Sequence, residues 1–317
     1  MSNVKPDIII PFIYNLDELR SCAVVYVRPQ TNKLNYEKAI ILGCQEFGDI
    51  VYLANIGGNI FIQNLLILEH YSTQYFFAMH SKSVISEYPE MVEVFENHFK
   101  ISINDAAIVS PFDAQLKLNM TSSQLFDTIV DNNDFLKLYG QTIKKIGNYF
   151  VINYDIPEII AKYTPDANVF VVALIFHDNN IKLTELNQAI FENLKSDAST
   201  PLIDEEKFKT HQWYDKVRRT YHISSNHIAT MFDMKDFVFS ANGSEIEFSE
   251  IPLSDYIIQS KITSEADLLA IKRFSLVYIK NDDGTETLIN IQDAAHNMTL
   301  EQCIDLFKRI NYNKIRR

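Results

Sequence analysis

The sequence predicts an α/β protein in which a mixed, largely buried sheet is flanked by helices, with a smaller α+β part toward the C-terminus. Three observations lead there. Short runs rich in β-branched and aromatic residues alternate with amphipathic stretches of ten or more residues. One run, 168–176 (NVFVVALIF), is apolar on both faces, the pattern of a central strand covered on two sides. An apolar fraction of 47% against 22% charged is the composition of a chain with a real core and excludes disorder as its main state.

The strand signals in chain order are 23–27 (AVVYV), 50–54 (IVYLA), 75–79 (YFFAM), 149–153 (YFVIN) and 168–176. Between them, 36–47, 60–74, 88–99, 121–146 and 184–194 read as amphipathic helices. The third carries Met91, Val94, Phe95 and Phe99 on one face, and the fourth opens on the N-cap cluster Thr121-Ser122-Ser123. At 196–206 (SDASTPLIDEE) the pattern lapses, which sets an expected boundary between an α/β domain at 1–200 and a C-terminal part at 201–317. That part is expected to hold a helical segment over about 205–221 and a second helix from near Ser224. A hairpin of 274–280 and 287–291 follows, turning at Asn281-Asp282-Asp283-Gly284, and a last helix covers 299–310. Tyr14–Leu19 resembles Tyr154–Ile159, and each precedes a strand, a Lys-Leu turn and a helix with Ala-Ile. A duplication of 8–50 in 149–195 and the convergence of two similar units both account for it.

Charge and cysteine usage narrow the function classes. The net charge of −12 repels nucleic acid and anionic membranes except where basic residues gather. Cys22, Cys44 and Cys303 are odd in number and form no CxxC pair, so buried thiols in a reducing compartment are expected rather than a disulfide framework. The chain opens on only a short apolar run, and no stretch reaches the roughly 18 apolar residues of a membrane span. A cytoplasmic protein without a membrane partner is therefore expected.

Three groups of residues carry candidate chemistry. Gly57-Gly58 lie between a predicted strand and a predicted helix, where backbone amides can hold a phosphate or carboxylate, with Asn55 at hand. The segment lacks the third glycine of a dinucleotide fingerprint and the Lys-Ser/Thr of a P-loop. His80 and His177-Asp178 each follow a predicted strand. Were those strands parallel neighbours, the three residues would converge beyond the carboxyl ends of the sheet for acid–base chemistry or metal binding, although they match no metal motif. The third group is 207–227, with five basic residues (Lys207, Lys209, Lys216, Arg218, Arg219) against one acid, Asp215. There Arg218 and Arg219 suit bidentate contact with an anion, and Trp213, Tyr221 and His222 suit stacking or hydrogen bonding. Each group has a plain structural alternative: a tight turn, solvated strand ends, and an exposed helix face.

Within the third group, Tyr221–Phe232 (YHISSNHIATMF) resembles the recognition-helix stretch of AraC-type helix-turn-helix proteins. That resemblance implies a helix laid in the DNA major groove, but it spans a dozen residues. The basic side chains precede the stretch instead of lining it, and DNA is not the expected partner.

Two readings stay open, and so does the question of catalysis. In the first, the α/β domain binds or turns over a small phosphorylated or carboxylated metabolite or nucleotide, with His177, Asp178 and His80 as the acid–base groups. In the second, the chain is a non-enzymatic interaction or regulatory protein whose contact surface for a protein partner or a second copy is 207–227. The sequence names no cofactor and no metal.

Overall fold

The computed structural model describes residues 5–14, 19–196 and 220–316. Eleven strands lie among the described residues: β1 (Asp7–Ile10), β2 (Cys22–Val27), β3 (Gly48–Gly57), β4 (Ala107–Val109), β5 (Phe135–Leu138), β6 (Gln141–Ile146), β7 (Tyr149–Ile152), β8 (Asn168–Phe176), β9 (Tyr221–Ile223), β10 (Leu276–Lys280) and β11 (Glu286–Asn290). Together with the helices they form an α/β fold of mixed sheets flanked by helices, with a smaller C-terminal part. The chain divides into two compact units, each discontinuous in sequence. The first comprises Met1–Leu66, Tyr163–Leu269 and Ala295–Ile310, and the second Ile67–Lys162, Ala270–Ala294 and Asn311–Arg317.

The first unit is built on a five-stranded sheet in the order β1-β3-β8-β2-β9, antiparallel throughout. β8 sits at its centre and is buried from Val169 to Phe176. Alternate side chains of a strand face opposite sides, and both sides are apolar because both are covered. Val25 and Val27 of β2, with Val172 and Leu174 of β8, pack against the helices Leu34–Phe47 and Leu183–Ser196 through Tyr36, Ile40, Cys44, Leu186 and Ile190. Gly43 permits this approach, since a Cβ there would stand 2.7 Å from the Ile190 side chain. On the opposite side Tyr26 meets Phe237 of the helix His227–Phe237, ring centroids 4.8 Å apart. That helix in turn packs against Pro252–Gln259 and Leu300–Arg309.

The two similar segments of the sequence both form a strand–turn–helix here. β2 and β8 are antiparallel neighbours, and the helices that follow them pack on each other.

The second unit holds a four-stranded sheet, β4-β7-β6-β5, in which only β4 and β7 are parallel, and the hairpin β10–β11. Its core gathers Phe77, Phe95, Ile143, Ile152, Phe274, Leu276 and Leu288. Lys144 is also buried in this unit, its Nζ donating to the Phe126 and Thr128 carbonyls and lying 3.5 Å from the Tyr154 ring centroid.

Three expected elements take a different form. Residues 75–79, expected as a strand, lie in the helix Ser72–His80. The run YFFAM is aromatic but holds no β-branched residue, so nothing in it opposes a helix. The single helix expected at 60–74 is broken by Leu65, at φ 53°, into shorter pieces, Gly58–Gln63 and Leu66–His70. The helix expected at 121–146 lasts only from Ser122 to Asp127. Its start is sound, with Thr121 and Gln124 forming a capping box, but Tyr139-Gly140, both at positive φ, turn the rest into the β5–β6 hairpin. The helical segment expected at 205–221 and the boundary expected at 196–206 fall largely on residues outside the described ones, and Tyr221 opens β9. No helix among the described residues is long and apolar enough to cross a membrane.

Candidate functional site

A connected polar cluster of the first unit forms where β9 meets β2. Tyr26 and His222 are cross-strand partners, and their rings stack at 4.5 Å with planes 16° apart. Ser224 carries the ladder one step past β9. Its N–H donates to the Val24 carbonyl (3.0 Å), and its hydroxyl accepts from the Val24 N–H (3.2 Å). Asn226 then caps the next helix by accepting from the Ala229 N–H at 2.9 Å. The short link between strand and helix thus returns the chain over the residues it has just left.

Two helical turns on, Asp233 reaches back to that link. One carboxylate oxygen, Oδ2, accepts from the Ser224 hydroxyl and lies within hydrogen-bond distance of His222 Nε2, each at 2.7 Å. The Asp233 side chain is only 5% exposed, whereas that of His222 is 20% exposed. A buried carboxylate persists only when its charge and lone pairs are met by partners. Here the partners also fix the imidazole: a ring held through Nε2 on one edge and stacked on Tyr26 on its face has one orientation. This is a carboxylate–imidazole pair with an exposed rim, an arrangement able to orient a proton donor or acceptor. It is not a nucleophile triad, because the Ser224 hydroxyl is bonded to Asp233 and not to the imidazole.

The other residues singled out from the sequence are placed as follows. Gly58 sits where a turn docks. Its N–H donates to the Ala167 carbonyl at 2.6 Å, and a Cβ would fall 1.8 Å from the Thr164 carbonyl oxygen. Close backbone packing thus accounts for this glycine, and its amide is engaged. A Cβ on Gly57 would meet nothing within 4 Å, and Asn55 Oδ1 accepts from Asn168 at 3.4 Å. Tyr221 is buried in the first unit's core, and its hydroxyl donates to Asn187 Oδ1 at 2.7 Å. His177 and Asp178 follow β8 on an exposed turn. There His177 Nε2 lies 3.4 Å from Asp49, and Asp178 accepts from the Asn180 backbone. His80 belongs to the second unit, at the end of a helix with its ring against Phe76. The premise of two parallel strands ending in histidine therefore does not hold, because β8 pairs antiparallel on both sides and His80 follows no strand. Trp213, Arg218 and Arg219 lie outside the described residues.

The stretch resembling a recognition helix is a strand followed by a buried helix. Of the eleven residues from His227 to Phe237, all but Lys235 are buried. A helix that reads DNA must offer a face to the groove, and this one is covered on every side.

Asp233 and Ser224 were not visible as site residues in the sequence. The one available signal was an acid in the middle of an otherwise apolar helical stretch, IATMFDM, which a buried partner explains. No protein-family model matches the chain, and no curated protein and no solved structure matches it either.

Proposed function

We propose that the first unit binds a small anionic metabolite, phosphorylated or carboxylated, at the β9 edge of its sheet, with His222 as the group that meets it. One observation carries this reading: His222 is held by a buried carboxylate and a stacked tyrosine while a fifth of its side chain stays exposed. A histidine needed only for packing gains nothing from an exposed edge, and a solvated one gains nothing from a buried aspartate. In the sequence, Arg218 and Arg219 stand four and three residues before it, where they would supply charge for an anion.

The test is a thermal-shift screen of sugar phosphates, nucleotides and di- and tricarboxylates, repeated on His222→Gln and on Arg218→Ala combined with Arg219→Ala. A ligand at 100 times its dissociation constant stabilises the protein by about 2.7 kcal/mol. The stabilisation is expected to fall away in both variants. A flat screen, or hits unchanged in His222→Gln, overturns the assignment.

A second reading, contact with a protein, is supported by a separate feature. β1 is an edge strand, and Ile9, Ile10 and the nearby Ile13 are 55%, 37% and 75% exposed. Apolar edges of this kind pair with other chains unless covered. Sedimentation of the wild type and of Ile9→Lys decides this reading: a wild-type oligomer that dissociates in the variant supports it, and a monomer at all concentrations overturns it.

A further inference from the structure

The helix His227–Phe237 carries His227, Thr230, Met231 and Met234 at spacings that place them along one stripe. That stripe, with Cys22 at the start of β2 and Arg20 just before it, lines a cavity of about 10 Å³ closed by Ile251, Leu253 and Leu300. The space suits one water molecule or one ion and nothing larger. The Thr230 hydroxyl lies 3.3 Å from the Cys22 carbonyl oxygen, which fixes helix to strand across this gap.

Two features of the lining are unusual together. It brings one thiol, two thioethers and one imidazole to a single small space, drawn from a chain with only three cysteines and seven methionines. In addition His227 is 9% exposed, and its Nδ1 is buried with no hydrogen-bond partner among the described residues. An unpartnered buried nitrogen lowers stability unless something in the cavity meets it. Arg20 and Thr230 also reach this lining, so the walls offer polar groups beside the three sulfurs. Thiolate and thioether donors select a soft cation, and a thioether pair favours monovalent copper over zinc.

We propose that Cys22, His227, Met231 and Met234 form a binding site for a single Cu(I) ion. Binding exchanges a proton for the metal: the Cys22 S–H bond breaks, the sulfur keeps the electron pair and forms the Cu–S bond, and the proton leaves to solvent. Thiolate and Cu(I) then carry no net charge between them, which limits the cost of burying the ion.

The experiment is an anaerobic titration of the full, reduced chain with Cu(I) against a chromophoric Cu(I) chelator. One ion per chain is expected. Cys22→Ser and His227→Leu should abolish its retention, while Cys44→Ser and Cys303→Ser should leave it intact. Met231→Leu combined with Met234→Leu preserves core volume and keeps the test valid if Cys22→Ser does not fold; it should weaken binding at least tenfold. Absence of stoichiometric copper, retention of copper by folded Cys22→Ser, or undiminished affinity in the double methionine variant overturns the proposal.

Discussion

Two adjacent glycines in this chain should respond to alanine very differently. A Cβ on Gly58 would sit 1.8 Å from the backbone oxygen of Thr164, where contacts below 3.0 Å are essentially never seen. The obstacle is main chain, fixed by the Ala167 N–H donating to that same oxygen at 2.9 Å, so it cannot swing away as a side chain would. Relief requires the turn at 164–167 to move off the helix start, which strains the backbone by about 1–3 kcal/mol. It also breaks the 2.6 Å bond from the Gly58 N–H to the Ala167 carbonyl, at a further cost of about 1 kcal/mol or more. Gly58→Ala should therefore lose about 3 kcal/mol, the sum of strain and lost bond. Gly57 has an ordinary extended backbone (φ −70°, ψ 149°) and nothing near its would-be methyl. There the stiffer unfolded chain gains roughly 0.4–1 kcal/mol, offset by the poor performance of alanine as an N-cap, for a net change near zero. Urea unfolding followed by far-ultraviolet circular dichroism measures both. Gly48→Ala supplies an independent repeat, because its Cβ would lie 2.2 Å from the Ile175 carbonyl. The reasoning fails if Gly58→Ala is as stable as wild type, or if Gly57→Ala is destabilised equally.

Three more expectations follow from the buried polar groups. Asp233→Ala leaves the Ser224 hydroxyl and His222 Nε2 without their shared acceptor and should cost about 3 kcal/mol, whereas Asp233→Asn keeps an oxygen in place and should cost less; equal losses in a thermal melt would argue against the shared-acceptor account. Because burial lowers the pKa of His227 below its ordinary 6.5, the unfolded chain takes up that proton first. The contribution is therefore whole above about pH 6.5 and is lost as pH falls toward the lowered native value. His227→Gln should flatten the dependence of the urea midpoint between about pH 7.5 and pH 5, and an unchanged slope would contradict this. Burial pushes Cys22, Cys44 and Cys303 each up to about 12; a maleimide at about pH 7.5 should thus label none of them until the protein unfolds, and fast labelling of the native chain would show that a thiol is reachable.

How far the sequence revealed the fold depended on whether local pattern and tertiary demand agreed. Residues 168–176 are apolar at nearly every position, and the run's short length and four β-branched residues favour a strand buried on both faces over a helix, so β8 was legible. The helices ending near Phe47 and Phe99 were legible for the same reason, each having one apolar face. The pattern failed where a single backbone residue decides the matter. Nothing in the apolar spacing of 121–146 signals that Tyr139 and Gly140 take positive φ. Leu65, which breaks the helix after Gln63 at φ 53°, is a residue type that rarely adopts that conformation. The direction of neighbouring strands was invisible as well. The joining of His80 to His177 was conditional on parallel neighbouring strands, whereas β8 and its neighbours run antiparallel and His80 ends a helix.

The helix His227–Phe237 shows why the site was harder to read than the fold. A helix covered on all sides is expected to be apolar all round, yet this one buries His227, Thr230, Asp233 and Asp236 among its core residues. Its resemblance to a recognition helix covered Tyr221–Phe232, where His227 and Thr230 are polar positions that an exposed helix would carry without explanation. Inside a core each must be met by a partner. Asp233 is met by Ser224 and His222, whereas His227 Nδ1 is met by nothing among the described residues. Sequences that break the rules of their own local structure tend to do so where function requires it. Here one helix does so on two counts, with a satisfied acid held under a partly exposed imidazole and an imidazole whose Nδ1 has no partner among the described residues. Apolar residues would hold the helix in place at least as well, so stability alone does not account for either group.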